Sequence, residues 1–360
     1  MTIQTGITIS ELDTPQLLID LDGVDRNLKL MFDAGKRNGV KVRVHFKSLK
    51  CTGLARYIAD RGADGFLCAK LNEAEALVAA GLTDVMIANQ VVGPIKLKRM
   101  ADLAKRSSLR VCVDDYNNVT QIAAACAAAG SILGVLVEVD VGMKRCGVAP
   151  GEPALELAQH IRKYPSLRFD GLQGYDGHLQ YIPDMAERER RCREGMIPFV
   201  ETRKLIEKAG IPIAVVTGAG TGTWEWVAST PGITEIQPGS FVLMDAIYQT
   251  LRPEFPATQS ILATVVSKRP GQYVLDAGSK AISQDFGKPQ IKNRPQDKVM
   301  KLPEEHTIVE SADENVKVGD RFEVLSAHCC ATMNLHRTCI GVRKGKVEAV
   351  WPIEASGRYD

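Results

Sequence analysis

At 360 residues, with 45 basic and 43 acidic side chains and a formal net charge of +2, the chain is long enough for a large barrel plus a smaller second domain. Its basic residues are interleaved with acidic ones, which leaves no electrostatic footprint for nucleic acid or an anionic membrane and points to small-molecule partners. The opening MTIQTGITISELDTP has neither a basic nor an apolar leader, no apolar run is long enough to span a bilayer, and nine cysteines without a CxxC pair read as reduced buried thiols, so a cytoplasmic protein is expected.

From about residue 15 to residue 248, short β-branched or apolar runs alternate with amphipathic and alanine-rich stretches, the pattern of repeated βα units around a parallel sheet. In chain order the runs are LLIDL (17–21), VKVRVHF (40–46), GFLCAK (65–70), VMIANQV (85–91), LRVCVDD (109–115), LGVLVEVDVG (133–142), FDGLQGYDGH (169–178), AVVTGAG (214–220) and EIQPGSFVLMD (235–245). Between them DRNLKLMFDAGKRNG, NEAEALVAAG, NNVTQIAAACAAAG and AERERRCREGMIPFVETRKLIEKAG predict helices that stop at a glycine. About eight such units predict a TIM-type (β/α)8 barrel rather than an open sheet.

From residue 249 the pattern changes. SILATVVSKRPGQYVLDAG, RFEVLSAHC and TCIGVRKGKVEAVWPI alternate apolar and polar residues and break at RPGQ and RKGK, which predicts a C-terminal antiparallel β domain of residues 249–360 joined by residues 1–14. The segment 286–306, rich in proline and charge, predicts a long surface loop.

In a barrel of this kind the active site lies where the strands end and the βα loops begin. Polar residues stand at several of those ends: His45 and Lys47, Asn89 and Gln90, Asp140 and Arg145, then Tyr175, Asp176 and His178. Lys47, just past an apolar run, is an amine placed to condense with an aldehyde; taken alone it reads as a solvated cation. Two later loops give it a context. TGAGTGT (217–223) sets Gly218, Gly220 and Gly222 among Thr217, Thr221 and Thr223, so backbone N–H groups can approach an anion without interference from Cβ and hydroxyls can donate to it. It is neither a Walker loop nor a dinucleotide fingerprint. Gly239 and Ser240 close the next strand, and barrel phosphate sites often draw on two consecutive late loops. Together these turns point to a phosphorylated cofactor.

In SAHCCATMNLH, His328 and Cys330 are two residues apart, so on a strand they would point to one side and share an ion. Imidazole with thiolate suits zinc, while manganese and magnesium remain alternatives. The same two residues also read as a buried cysteine and a core histidine; His336 and Cys339 are lesser candidates. Arg145 either meets the cofactor's phenolic oxygen or pairs with Asp140. Tyr175 and His178 serve as acid or base, or as loop anchors. Asp276 reads as a turn former, and His306 as a surface residue or part of a lid.

With these residues assembled, the sequence resembles the D-threonine aldolase, 3-hydroxy-D-aspartate aldolase and D-serine dehydratase group of fold-type III pyridoxal-phosphate enzymes, which share the alanine-racemase-like barrel. The resemblance is carried in order by VHFKSLK, VEVDVGMKRCGV, GLQGYDGHLQ, VVTGAGTGT, ITEIQPGSFVLMD, VLDAGSK, AHCCATMNLH and GVRKGKVEAVWPIEASG. It implies a pyridoxal 5'-phosphate barrel with the cofactor on Lys47, a β domain that carries the metal ligands, a divalent metal beside the cofactor and a homodimer. VDVGMKRCGV, GAGTG and VWPIEASG look closer to the aldolases. Two positions depart from them: Cys330 stands where those aldolases usually carry Asp, the pairing seen in the dehydratases, and Leu49 where they carry His.

The resemblance implies a lyase that cleaves D-β-hydroxy amino acids to glycine and an aldehyde or oxo acid, with His178, Tyr175 or Tyr181 as the base near the metal. In the dehydratase alternative the metal assists loss of hydroxide while Lys47 takes the Cα proton. A racemase, or a pyridoxal-phosphate carrier without turnover, is the remaining reading.

Overall fold

A computed structural model describes residues 3–359. The described residues form two compact units, one of residues 30–47 and 55–239 with residues 358 and 359, the other of residues 3–29, 48–54 and 240–357.

The strand β1 (Gln16–Asp20) and helix α1 (Leu21–Asn38) come first. The barrel then runs through β2 (Lys41–Val42), β3 (Val44–His45), α2 (Thr52–Ala59), β4 (Phe66–Cys68), α3 (Leu71–Ala79), β5 (Asp84–Ile87), α4 (Pro94–Ala104), β6 (Ser108–Val113) and α5 (Tyr116–Ala129). It continues with β7 (Leu133–Glu138), α6 (Glu152–Ile161), β8 (Leu167–Gly174), α7 (Met185–Lys208), β9 (Val215–Gly218), α8 (Trp224–Ala228) and β10 (Glu235–Ile236). All neighbours in this sheet are parallel, in the order β2-β10-β9-β8-β7-β6-β5-β4-β3. β2 and β3 are halves of one strand interrupted at Arg43. The N–H groups of Lys41, Arg43 and His45 donate to Thr234, Ile236 and Pro238, and that of Val44 donates to Gly65, so this strand joins both ends of the sheet. The result is the (β/α)8 barrel.

Side chains alternate across each strand, and the inward positions fall into three layers. At the N-terminal ends Arg43 donates to Glu235 and Asp84, each at 2.9 Å, and Arg110 to Asp84 at 2.9 Å and Asp170 at 3.0 Å. These partners hold Arg43 strongly protonated even though burial opposes it. Gly134 on β7 leaves room for this network: a Cβ there would stand 2.5 Å from an Asp170 carboxylate oxygen. Above it lies an apolar belt of Leu67, Met86, Ala88, Cys112 and Leu136, packed against Val215. At the C-terminal ends the interior turns polar again, with His45, Gln90, Asp114, Glu138, Gln173 and Gln237.

The second unit is built on an antiparallel sheet through β11 (Gln259–Arg269), β12 (Gln272–Leu275), β13 (Gln290–Ile291), β14 (Lys298–Lys301), β15 (Thr307–Glu310), β16 (Arg321–Leu325), β17 (Thr338–Arg343) and β18 (Lys346–Pro352). Its core includes Leu12, Leu18, Leu262, Ile340 and Val347. Two sequence readings are corrected here. The run 17–21, counted as the first barrel strand, supplies β1, which lies between β11, antiparallel, and β17, parallel. An apolar run of five looks the same whichever sheet buries it. The segment 286–306, read as a loop, contains β13 and β14, short strands in which Gln290, Lys298 and Lys301 are exposed and Ile291 and Val299 are buried. Asp276 accepts the Thr264 N–H at 2.7 Å and a bond from the Thr14 hydroxyl, tying the start of the chain to β11.

Candidate active site

Lys47 occupies a single 3-10 turn, Phe46–Ser48, directly after β3, and is half-buried. Its ammonium lies 5.6 Å from the centroid of the Tyr175 ring, and the Arg145 guanidinium lies 5.5 Å from the same centroid. Both separations are within the range in which a cation is attracted to an aromatic ring. Tyr175 follows β8, so this contact joins the loops after three strands. His45 places Nδ1 3.1 Å from the Leu67 carbonyl and 3.4 Å from the Lys47 backbone nitrogen, so the ring either donates to that carbonyl or accepts the Lys47 N–H. Asp140 does not take Arg145 as its ligand; its carboxylate accepts the N–H groups of Gly142 at 2.9 Å and Lys144 at 3.0 Å.

His178 is exposed, one turn beyond Tyr175, and its Nε2 would be 3.3 Å from a Cβ at Gly142. Partial burial and the positive charge of Arg191 hold its pKa below the ordinary histidine value, so it is a neutral base at pH 7. The polar residues at the barrel mouth form two hydrogen-bonded groups: Gln90 donates to Glu138 at 2.6 Å and to Asp114 at 3.1 Å, and Gln237 donates to Gln173 at 3.0 Å. Burial raises the Glu138 pKa, against the bond from Gln90.

The loop 217–223 is buried throughout. The Thr217 hydroxyl is buried with no hydrogen-bond partner, an arrangement that a protein avoids unless something else binds there. An orphaned donor on a glycine-threonine loop at a barrel strand's C-terminal end fits a phosphate ester. Gly239 is buried beyond β10, next to Pro238, whose carbonyl accepts the His45 N–H at 3.0 Å.

In the second unit, Ser240 opens a 3-10 turn and its hydroxyl lies 3.7 Å from the Cys330 sulfur. The structure therefore groups Ser240 with Cys330. The Cys330 thiol is also 3.1 Å from the Ser48 hydroxyl. His328 and Cys330 do not share a strand, as their spacing suggested. β16 ends at Leu325, His328 is the extended residue before the helix Cys329–Met333, and Cys330 lies in its first turn. The two side chains nevertheless meet, because Cys330 hydrogen-bonds to His328. Burial favours neutral imidazole, but bonds to Cys330 and Asp285 outweigh it and push the pKa up to about 9. The Asp285 carboxylate is 2.7 Å from His328 Nδ1, which leaves Nε2 facing away from that bond. A carboxylate on the far nitrogen is the usual support of a metal-binding imidazole. Among the described residues no group of three or more His, Cys, Asp or Glu side chains is arranged to hold a metal. The donor set that fits one is His328 Nε2 with the Cys330 thiolate. His336 instead faces the Ala281 carbonyl at 2.8 Å, and Cys339 lies 3.9 Å from Cys51.

Sequence reasoning missed Asp285 and Ser48, because nothing in a lone aspartate 43 residues before His328 marks it as a partner. Gln180 lies at the end of GLQGYDGHLQ, where nothing in the local sequence marks it out.

Residues 19–246 match the family model described as "Alanine racemase, N-terminal domain", and residues 258–342 match that of a "Putative serine dehydratase domain". The chain belongs to the alanine-racemase-like family. It is 37% identical over 361 residues to a D-threonine aldolase of Arthrobacter sp, covering 98% of this chain and 95% of that one. A 3-hydroxy-D-aspartate aldolase of Paracoccus denitrificans (strain Pd 1222) is 35% identical, with 98% and 94% covered. A D-threo-3-hydroxyaspartate dehydratase of Delftia sp. (strain HT23) is more distant, at 29% with 90% and 93% covered. The crystal structure of D-threonine aldolase from Filomicrobium marinum superposes with a TM-score of 0.96, at 37% identity and 99% coverage of both chains. Aldolases are thus nearer to this alanine-racemase-like chain than dehydratases are, and membership implies pyridoxal phosphate and a metal. No helix among the described residues is long and apolar enough to cross a membrane.

Proposed function

We propose that the protein is a pyridoxal-phosphate- and divalent-metal-dependent aldolase that cleaves D-β-hydroxy amino acids of the D-threonine or 3-hydroxy-D-aspartate type to glycine and an aldehyde or oxo acid. The observation that carries this reading is the half-buried Lys47 at the barrel mouth, its ammonium held over the Tyr175 ring that Arg145 also approaches, in a chain of aldolase-like sequence throughout.

Pyridoxal phosphate, when bound, would supply an electron sink for cleavage at Cα, and a divalent metal, when bound, would supply Lewis acidity. The protein's own groups do the rest. Lys47 would hold the cofactor through Nζ. Thr217, Gly218, Gly220, Thr221 and Gly222, with Gly239 and Ser240, would hold the phosphate, for which the unpartnered Thr217 hydroxyl is a donor. His45, Tyr175 and Arg145 would orient the ring. His178, neutral at pH 7, removes the proton of the substrate's β-hydroxyl, with Tyr175 and Tyr181 as the other candidates. His328 and Cys330 would hold the metal, and an imidazole with a thiolate favours zinc over manganese or magnesium. The enzyme is read as a homodimer of the cytoplasm, a compartment in which its nine free cysteines would stay reduced.

One observation favours a second reading. Cys330 beside His328 is the pairing that the sequence shares with dehydratases, and the same residues would then assist loss of hydroxide. The test is a panel of D-β-hydroxy amino acids assayed for both products. Glycine without ammonia supports the aldolase, whereas ammonia without glycine replaces it with the dehydratase.

A further inference from the structure

The loop 217–223 is shaped by a residue outside it. Gln180 follows the 3-10 turn Gly177–Leu179 after β8 and is 1% exposed. Its amide nitrogen donates to the Asp176 carboxylate at 3.0 Å and to the Thr223 hydroxyl at 2.9 Å, while its amide oxygen accepts the Gly222 N–H at 2.7 Å. These partners determine which way round the amide lies, because a backbone N–H requires the oxygen and a carboxylate requires the NH2. Asp176 is itself buried, and the Cys192 thiol donates to its other oxygen at 3.5 Å.

The glycines of the loop are explained by the same residue. A Cβ at Gly220 would stand 2.4 Å from the Gln180 amide oxygen, and one at Gly222 would stand 2.6 Å from the Gln180 carbonyl oxygen. Both glycines are therefore needed for close approach to Gln180, and the Gly222 N–H is already engaged. The Thr217 hydroxyl is buried without a hydrogen-bond partner.

We propose that Gln180 is the positioning residue of the phosphate loop: it moulds residues 217–223 so that Thr217 is presented to the phosphate of the cofactor, and Asp176 fixes the orientation of its amide. This rests on the reading of the protein as a pyridoxal-phosphate enzyme. Gln180 touches the loop and not the reacting atoms, so its loss weakens phosphate recognition in particular.

The test compares the affinity of cofactor-free protein for pyridoxal phosphate and for pyridoxal, which lacks the phosphate, by fluorescence titration. Gln180→Met keeps the bulk and removes every amide bond. It is expected to weaken pyridoxal phosphate by about 10- to 100-fold, the loss of one or two buried hydrogen bonds, and pyridoxal by less than about threefold. Gln180→Glu retains an acceptor for Gly222 but loses the donors and faces Asp176, so it should behave like Gln180→Met. Gly220→Ala should weaken pyridoxal phosphate when Gln180 is present and add nothing in a Gln180→Ala background, where the clash is gone. Equal losses for both ligands, unchanged affinity in Gln180→Met, or an undiminished Gly220→Ala effect in the Gln180→Ala background would overturn the proposal. Wild-type protein that does not distinguish the two ligands would instead overturn the cofactor reading, and this inference with it.

Discussion

The thiol of Cys330 lies 3.1 Å from the hydroxyl of Ser48, and Ser48 is the residue that follows Lys47 in the chain. Cys330 is the candidate metal ligand of the second unit. Cys330→Ala removes one of two protein donors and is expected to lower metal affinity by at least about 100-fold. Cys330→Asp keeps a donor but hardens it, so bound metal should shift from zinc toward manganese or magnesium. Elemental analysis after dialysis against mixed metals reads both, and zinc retained in full by Cys330→Ala would remove this residue from the site.

Lys47→Ala should abolish glycine release, with a fall of roughly 1,000-fold or more for loss of a covalent catalytic group. Borohydride reduction followed by peptide mapping provides an independent reading. The wild type should carry the reduced cofactor on the peptide containing Lys47, and a label on another lysine would refute the assignment.

The pH dependence follows from His178. Its pKa lies below the ordinary histidine value, so its base form persists as the pH falls through that ordinary value and is lost only below it. The acid limb of kcat/KM should accordingly lie under the usual histidine range of about 6.5. Arg191→Gln removes one cause of the depression and should move that limb upward. His178→Asn should eliminate the limb along with most activity; an unchanged profile would transfer the role of base to Tyr175 or Tyr181.

At the other end of the barrel, Arg43 and Glu235 are both almost fully buried. Arg43→Met leaves Glu235 uncompensated and should cost about 3–5 kcal/mol of stability. Adding Glu235→Leu should recover much of that loss, although Asp84 also loses a partner. Urea unfolding of the single and double variants measures the difference, and a single variant of wild-type stability would show that the pair is dispensable.

The barrel was legible because its strands are β-branched and buried on both faces, so each appears as an apolar run ended by polar residues. β1 has the same appearance but lies in the other sheet, and only long-range pairing with residues 259–262 and 340–342 distinguishes it. β13 and β14 were hidden by their brevity and by proline and charge. Lys47, Tyr175, Arg145 and the glycine-threonine loop could be named from sequence because strand ends announce themselves. Asp285 and Gln180 could not, because each acts through one specific hydrogen-bond geometry that no local pattern encodes. The spacing of His328 and Cys330 suggested a shared strand, whereas the pair lies at the start of the helix Cys329–Met333.

β1 has a consequence for biosynthesis. Its neighbour β17 ends at Arg343, more than three hundred positions later, so Leu17, Leu18 and Ile19 cannot be shielded in their sheet while the ribosome is still making the middle of the chain. At ordinary elongation rates that interval is roughly 15 to 60 s, during which the barrel strands have already emerged. The first sheet strand to be synthesised is therefore among the last to find its place, and this sticky early segment is where nascent-chain chaperones would be needed.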